Sequence, residues 1–319
     1  MLNSKIIATG GYLPEKICDN EYLEFIVDTS DQWIVERTGI RERRIASDDE
    51  LTTDLALKAV LELVRKSNVN INTVDAIIFA TTTPDRTFPS CASILQGKLA
   101  LVNNCLAFDV QAVCCGFIYA IDLADSLIKS GKATNILVVG AETMSRLVNW
   151  HDRSTCILFG DGAGAVLLSA EESESGILAT TLHSDGKYVD ILRTSGGVSM
   201  NRSTGFIEMQ GREVFKLAVN RMSDCILESL AKCNLTIGDV DLLIPHQANQ
   251  RIIDGLARKL DVAREKIIST VALQGNTSAA SIPLALDYAL NNSRIAEGDL
   301  VVLESIGGGL TWGSVVLRW

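Results

Sequence analysis

Two neighbouring cysteines, Cys114 and Cys115, stand in the segment VQAVCCGFIYA, where a short apolar run changes to a helical pattern. The positive end of a helix dipole favours a thiolate, which is the nucleophilic form of cysteine. A thiol at this place could therefore act as a nucleophile. Packing in a core is the commonest role of cysteine, and a strained disulfide between the two neighbours is a third reading. The segment alone leaves all three open.

Two further side chains suit the same chemistry. His246 lies in LLIPHQANQRI directly after an apolar run, and Asn276 lies in LQGNTSAASIP before a helix start rich in small residues. His246 at the end of a strand would point into the crevice beyond that sheet edge, and Asn276 would stand where a Gly-Asn turn leads into a helix. A structural histidine and an asparagine that caps a helix are the alternatives.

An internal repeat indicates how these residues are positioned. Residues 55–78 and 221–244 share eight identities over 24 positions at an offset of 166. ILVVGA and LVVLES match at an offset of 164, and two Gly-rich segments, GDGAGAVLL and GGLTWGSVVL, match more weakly. Collinear matches of this kind predict a duplicated fold.

The repeat predicts an α/β protein with two similar halves, residues 1–169 and 170–319, joined in the polar run SAEESESG. Short apolar runs alternate with helical patterns, which favours βαβ units and parallel sheets. Functional side chains in such sheets lie beyond the carboxyl ends of the strands. Cys114 and Asn276, 162 residues apart, are expected at corresponding junctions of the two halves, with His246 in the same crevice.

Composition excludes several classes of function. The chain of 319 residues has a net charge of -10, which argues against general nucleic-acid binding. No apolar run approaches the roughly 18 to 20 residues of a membrane helix, so we expect no membrane span and a cytoplasmic location. The eight cysteines are scattered and show no zinc-site spacing, so we expect reduced thiols and no metal.

Seven segments in order along the chain resemble β-ketoacyl-[acyl-carrier-protein] synthase III, a family of thiolase-fold condensing enzymes: SDQWIVERTGIRERR, TPDRTFPS, DVQAVCCGF, FGDGAGA, PHQAN, GNTSAAS and IGGGLTWGS. The resemblance implies duplicated thiolase-like halves in five layers, αβαβα. It also implies the first condensation of fatty acid synthesis. A short acyl-CoA, expected to be acetyl-CoA, acylates a cysteine, and malonyl-acyl carrier protein then loses carbon dioxide and condenses with it.

The resemblance also implies roles for particular residues. Counted from Asp109 and Gly116, the nucleophile falls on Cys114, and Cys115 takes a place where the family has a small residue. His246 and Asn276 would stabilise the enolate, and the backbone N–H groups of Cys114 and Gly308 would form an oxyanion hole.

The substrates and the partner subunit have implied contacts as well. Coenzyme A enters as a substrate thioester and no cofactor is implied. Residues implied to bind it are Trp33, Arg37, Arg153, Gly211, Asn249 and Arg251. Residues implied to bind the acidic acyl carrier protein are Lys216, Arg251, Arg258 and Lys259. The family is homodimeric, and Phe88 would enter the partner's acyl pocket, with an intrachain core role as the alternative.

Three other functions stay open at this point. A related synthase of secondary metabolism would share the cysteine, histidine and asparagine, and Ile306 and Cys115 depart from the family pattern in ways that affect the acyl pocket. A non-catalytic thioester-binding scaffold would be expected to have lost one of the three residues. A cysteine hydrolase would need a base that activates water, which the Asn276 segment does not suggest.

Overall fold

The computed structural model describes residues 2–319. The first half forms a five-stranded sheet in the order β1-β7-β6-β4-β5. Its elements are β1 (Leu2–Tyr12), β2 (Lys16–Asp19), α1 (Asn20–Glu24), α2 (Asp31–Thr38), β3 (Glu42–Ile45), α3 (Thr52–Ser67), β4 (Ala76–Ala80), α4 (Cys91–Lys98), β5 (Leu106–Val110), α5 (Gly116–Lys129), β6 (Asn135–Thr143), α6 (Arg153–Cys156) and β7 (Asp161–Glu172). Within the described residues 2–319, no helix is long and apolar enough to cross a membrane.

The second half forms a four-stranded sheet in the order β11-β12-β13-β8. Its elements are β8 (Gly176–Ser184), β9 (Leu192–Thr194), α7 (Val198–Asn201), β10 (Ile207–Met209), α8 (Gly211–Lys232), β11 (Leu242–Pro245), α9 (Gln250–Leu260), α10 (Val271–Gln274), α11 (Ser281–Asn291), β12 (Leu300–Gly307) and β13 (Thr311–Arg318).

The two sheets have the same strand order, as the repeat predicted. Strands β4, β6, β7 and β1 of the first sheet correspond to β11, β12, β13 and β8 of the second. The place of β5 is taken in the second half by a single parallel bridge between Leu243 and Ile267. Each matched pair of sequence segments therefore contains two strands that occupy equivalent positions in the two sheets.

The prediction of parallel sheets is wrong, because both sheets are mixed. Strand β4 runs parallel to β5 and β6, whereas β7 runs antiparallel to β6 and β1. In the second sheet only β11 and β12 are parallel. Strands β12 and β13 are joined by residues 308–310 alone, and so short a connection can only join antiparallel strands.

The elements stack in five layers. Helices α3 and α4 cover one face of the first sheet, α5 and α11 lie between the two sheets, and α8 and α9 cover the far face of the second. The chain passes from the first sheet to the second between Glu172 and Gly176. The boundary expected after residue 169 thus falls inside β7, because the polar run continues that strand before it turns.

A distinctive backbone turn occurs once in each half. Val113 and Ser278 have φ angles of 50° and 49°, and each begins a single 3-10 turn, Val113–Cys115 or Ser278–Ala280, directly before a helix of the central layer. These equivalent residues are 165 positions apart, so the counterpart of Cys114 is Ala279. Cys114 and Asn276 therefore lie at corresponding junctions, as expected, although Cys114 lies within its turn and Asn276 precedes the other turn.

Candidate active site

A cavity of about 870 Å³ opens beside the two turns and is lined by both halves of the chain. Cys114, His246 and Asn276 all line it, and so do Ile306 and Gly308. Most of the lining is apolar, with a few polar groups directed inward, as in sites that bind small molecules. The sequence prediction that the three side chains lie in one crevice is therefore consistent with the observed geometry.

The two neighbouring cysteines have different surroundings. Cys114 lines the cavity and is 4% exposed. Cys115 is fully buried in the apolar cluster between the sheets, with its Sγ 3.5 Å from the carbonyl oxygen of Ser305. Consecutive residues of a helical turn point about 100° apart, so only one of the two can face the cavity.

Burial disfavours the thiolate form of Cys114. Burial raises the pKa of Cys114 to about 12, a shift that the neighbouring Ser278 hydroxyl opposes. The helix after it begins only at Gly116, so both cysteines precede the helix instead of belonging to it. The expectation that the helix dipole favours the thiolate is wrong for this state, since the cost of burying a charge is the larger effect.

His246 directly follows β11, and its ring is held from behind. Its Nδ1 lies 2.6 Å from the Oγ of Ser281, which also accepts a hydrogen bond from the backbone N–H of Gln247. The Ser281 O–H is then free to donate to Nδ1, and this leaves the ring hydrogen on Nε2. Burial lowers the pKa of His246 to about 3, so the ring is neutral and can donate from Nε2 at ordinary pH.

The Asn276 side chain is oriented by its own loop. Its Oδ1 accepts the N–H of Ser278 at 2.9 Å, and its backbone bonds Leu158 and Gly160 on both sides. The amide oxygen is thereby occupied, and the NH₂ group is the part left for the cavity that the residue lines. The cavity thus holds one buried thiol and two neutral donors, which is a set suited to covalent acyl chemistry with an oxyanion.

Glycines allow the C-terminal strand connection to approach Cys114. A Cβ on Gly307 would lie 2.8 Å from the backbone nitrogen of Cys114, and one on Gly308 would lie 2.7 Å from the carbonyl oxygen of Leu192. Side chains do not fit at such distances. The Ser305 hydroxyl donates to the Cys114 carbonyl at 2.8 Å and fixes the same contact.

The guanidinium groups of two arginines lie over the ring of Trp33, and Trp33 and Arg37 line the cavity. The guanidinium carbons of Arg37 and Arg153 lie 5.4 Å and 4.7 Å from the ring centroid of Trp33. Helix α2 holds Trp33 and Arg37 one turn apart, because Ser30 caps its first turn and Gly39, with φ of 75°, ends it. This arrangement suits a flat, anionic ligand.

The remaining residues predicted for coenzyme A line the same cavity. Gly211, Asn249 and Arg251 all contribute to its wall. Asn249 is already occupied, since its Oδ1 caps α9 at the N–H of Arg251 and its Nδ2 donates to the carbonyl of Arg37. Its side chain joins α9 to α2, whereas Arg251 lies over the ring of Phe215.

Three of the four basic residues predicted to bind a carrier protein lie together outside this cavity. Lys216, Arg258 and Lys259 line a shallow groove of about 480 Å³ between α8 and α9. Lys259 forms an ion pair with Asp224 at 3.1 Å, so part of its charge is neutralised. Arg251 lies on the wall of the main cavity instead.

Phe88 is 82% exposed, which excludes a core role within its own chain. Strand β5 pairs on one side only, with β4, and so forms an edge of the first sheet. Leu106 on this strand and Val102 just before it are also exposed.

Sequence reasoning missed several polar residues around the thiol. Ser278 and Ser281 belong to the GNTSAAS motif and were read only as small residues that begin a helix. Glu142 is buried behind them, and Thr82 and Arg212 line the cavity. The two serines carried a detectable signal, because hydroxyls repeated at a helix start beside a candidate histidine are available as hydrogen-bond partners.

Two family models match the chain. Residues 108–186 match the model 3-oxoacyl-[acyl-carrier-protein (ACP)] synthase III, and residues 230–319 match the model of the C-terminal part of the same enzymes. The first covers Cys114, and the second covers His246, Asn276 and the glycine run.

Whole-chain comparisons agree with these matches. The chain is 56% identical to the beta-ketoacyl-[acyl-carrier-protein] synthase III of Wolbachia pipientis subsp. Culex pipiens (strain wPip), over 100% of both chains. It is similar to the crystal structure of 3-oxoacyl-[acyl-carrier-protein] synthase III from Aquifex aeolicus VF5, with a TM-score of 0.94 and 49% identity over 99% of this chain and 100% of that one. The priming beta-ketosynthase from the R1128 polyketide biosynthetic pathway is more distant, with a TM-score of 0.93 and 31% identity over 99% of this chain and 96% of that one. The chain thus belongs to the beta-ketoacyl-[acyl-carrier-protein] synthase III family.

Proposed function

We propose that the protein initiates fatty acid synthesis by condensing a short acyl-CoA, acetyl-CoA in the first instance, with malonyl-acyl carrier protein. The products are 3-oxoacyl-acyl carrier protein, coenzyme A and carbon dioxide. One observation carries the proposal: Cys114, His246 and Asn276, which come from distant segments, line a single cavity in a chain of this family.

In the first half-reaction, Cys114 attacks the acyl-CoA carbonyl and coenzyme A leaves. The negative charge on the carbonyl oxygen needs donors at the site of attack. Backbone N–H groups of Cys114 and Gly308 are proposed for this role. The close packing of the glycine run against the Cys114 backbone supports the assignment.

In the second half-reaction, malonyl-acyl carrier protein loses carbon dioxide and leaves an enolate. Its oxygen needs two fixed donors, and the His246 Nε2–H and the Asn276 amide are proposed for this role. A neutral imidazole suits it, because it can donate without first taking up a proton from solvent. The resulting carbanion-like carbon attacks the acyl thioester on Cys114 and forms the new carbon–carbon bond.

Coenzyme A is proposed to bind with its adenine near Trp33 and its phosphates near the surrounding cations. The support is the pair of guanidinium groups over the Trp33 ring and the position of Arg251 on the cavity wall. Gly211 leaves space beside the ligand. Asn249 is proposed only to hold α9 against α2, since both of its side-chain polar atoms have partners within the chain.

The acidic acyl carrier protein is proposed to dock at the groove formed by Lys216, Arg258 and Lys259, with Arg251 at the edge of the main cavity. Opposite charge on the two surfaces favours this approach even though the chain as a whole is acidic. Lys216 and Arg258 are the better candidates, because Lys259 is already paired with Asp224.

A cytoplasmic homodimer is proposed as the active form, in which Phe88 enters the partner's acyl pocket. The exposure of Phe88, Val102 and Leu106 beside the open edge of β5 supports this arrangement, since large apolar side chains gain most by burial at an interface. Sedimentation of the purified protein tests the dimer, and Phe88→Ala tests its acyl-pocket role.

The decisive experiment offers acetyl-CoA and longer or branched acyl-CoAs together with malonyl-acyl carrier protein. The proposal expects 3-oxoacyl-acyl carrier protein with at least one short acyl-CoA, and an acyl adduct on Cys114 when the malonyl substrate is left out. An inactive wild-type protein with all acyl-CoAs would contradict it. Cys114→Ala is the matched control.

A synthase of secondary metabolism is the second candidate, favoured by the similarity to the R1128 priming beta-ketosynthase. The higher identity to the synthase III proteins of Wolbachia pipientis and Aquifex aeolicus argues for the first candidate. Supplying malonyl-CoA and malonyl-acyl carrier protein separately, with a panel of acyl-CoAs, distinguishes the two functions.

A further inference from the structure

The active-site cavity has a positively charged wall although the protein is acidic. Four arginines line it, Arg37, Arg193, Arg212 and Arg251, whereas no aspartate or glutamate of residues 2–319 does. The whole chain has 39 acidic and 29 basic residues. Cations gathered on one concave surface attract anions to it. The cavity is therefore suited to a negatively charged ligand.

Arg212 is the arginine of this wall that has no partner within the described part of the chain. It is exposed, and its guanidinium forms no ion pair or hydrogen bond there and lies over no aromatic ring. Arg193, by contrast, pairs with Asp190 at 2.9 Å and with Glu208 at 3.2 Å, so its charge is largely neutralised. The other two arginines lie over aromatic rings. The charge of Arg212 is thus available to a bound molecule.

Arg212 lies where the main cavity meets the groove proposed for the carrier protein. Phe215 lines both, so its ring forms the ridge between the cavity and the groove. Arg212 precedes Phe215 by three residues in α8, and side chains at this spacing share one face of a helix. The guanidinium carbon of Arg251 lies 5.6 Å from the centroid of the Phe215 ring. Two arginines therefore lie beside this ridge.

Both proposed substrates place a phosphate group in this part of the protein. Coenzyme A and the carrier protein each hold the acyl thioester at one end of a pantetheine arm, and the other end of the arm bears a phosphate. An arm that reaches Cys114 from a carrier protein in the groove must cross the Phe215 ridge, with its phosphate still near the entrance. Guanidinium groups bind phosphate through charge-assisted hydrogen bonds.

We propose that Arg212 binds the phosphate at the end of the pantetheine arm, a group that acyl-CoA and acyl carrier protein have in common. The identity of the ligand rests on the proposed function, whereas the preference for a phosphate is a property of the free protein. Arg212 then limits how far the arm enters the cavity and helps to hold the thioester at Cys114. Because it acts by binding alone, its loss should affect KM more than kcat.

Titration calorimetry with pantetheine and 4′-phosphopantetheine tests this contact without any reaction, because the two probes differ only in the phosphate. The wild-type protein should bind 4′-phosphopantetheine more tightly than pantetheine. Arg212→Gln should reduce this preference about fivefold, as expected for an ion pair that solvent partly screens, and leave the affinity for pantetheine within twofold. Added salt should reduce the preference of the wild-type protein, because exposed charges are screened.

Arg193→Gln is the matched control, because it removes the same charge from the same cavity wall at a residue that is already paired. Its preference for the phosphate should stay within twofold of wild type. Arg212→Lys keeps the charge but loses the planar fork, so it should retain part of the preference. Melting curves check that each variant is folded.

Kinetics with the complete substrates identify the source of the phosphate. In Arg212→Gln, the KM for acetyl-CoA rises if the phosphate of coenzyme A binds here, and the KM for malonyl-acyl carrier protein rises if that of the carrier protein does. We expect both to rise about fivefold, since the two substrates share the arm. A rise for one substrate alone assigns the site to that source.

An unchanged preference for the phosphate in Arg212→Gln would overturn the inference. An equal loss in Arg193→Gln would overturn it too, because the effect would then come from the overall charge of the cavity. If the wild-type protein condenses none of the acyl-CoAs, the proposed function is contradicted, and the calorimetric comparison of the two probes remains valid.

Discussion

The same backbone turn occurs twice in this molecule, and only one copy carries a thiol. Val113–Cys115 and Ser278–Ala280 share a left-handed first residue and lead into the two central helices. In the first turn the middle residue is Cys114, which lines the cavity; in the second it is Ala279, which is buried in the central apolar cluster. The equivalent scaffolds have different tasks, because Val113 and Cys114 of the first turn line the cavity, whereas at the second turn the lining residue is Asn276, which precedes the turn.

The second turn contributes support instead of a nucleophile. Its first residue, Ser278, donates a hydrogen bond to Glu142, and Ser281 after it holds the ring of His246. At the position equivalent to Ser281, the first half has Gly116. Duplication thus supplied two helix starts. Differences in their side chains made the first one reactive, whereas the second one orients polar groups.

Cys114→Ala gives the first turn the middle residue of the second, and should have the largest effect. Acyl transfer and condensation are expected to fall to background, because no thiol remains on the cavity wall. Acyl-CoA incubation followed by peptide mass mapping measures the loss. Adding Ala279→Cys to this variant is the matched control, and an acyl adduct on that buried position would break the comparison.

Loss of either donor should have the next largest effect. His246→Ala and Asn276→Ala are each expected to slow condensation about a hundredfold or more, as removal of a single oxyanion donor does. Acylation of Cys114 should be much less affected, since these donors serve the enolate. Separate rates for acylation and condensation decide the point, and normal condensation in both variants would refute it.

Burial of neutral His246 should make the protein sensitive to acid. Its pKa is about 3 when folded against 6.5 when unfolded, so below pH 6.5 the unfolded chain binds the extra proton. The free energy of unfolding therefore falls with decreasing pH, by about 1.4 kcal/mol per unit from this residue, until the folded pKa is reached. Urea unfolding between pH 4 and 7 should show a smaller slope for His246→Asn and an unchanged slope for the exposed His151→Asn.

Cys115→Ala copies the third residue of the second turn, Ala280, and should have the smallest effect. We expect a loss of about 1 kcal/mol in the free energy of unfolding, because a buried sulfur is replaced by a small void. Alkylation and acyl transfer at Cys114 should stay within twofold of wild type. A large loss of acyl transfer with an unchanged melting temperature would show that Cys115 takes part in the chemistry.

Much of this architecture could be predicted from the sequence. The repeat at offsets near 165 predicted equivalent strands, and the motifs around Cys114, His246 and Asn276 predicted residues that share one cavity. The parallel character of the sheets was predicted wrongly, because short apolar runs look alike in parallel and antiparallel strands. The direction of the pKa shift of Cys114 was also wrong, since a local pattern shows the helix dipole but not the depth of burial.

The sequence by itself determined the duplicated α/β plan, the choice of reactive residues and the position of the glycine run, because periodicity and residue type are local properties. Only the tertiary structure decided which cysteine faces the cavity, the neutral state of His246 and the hydrogen bond from Ser278 to Glu142. These depend on burial and on contacts between residues as far apart as 136 positions. Desolvation and hydrogen-bond geometry exist only once the two halves have packed together.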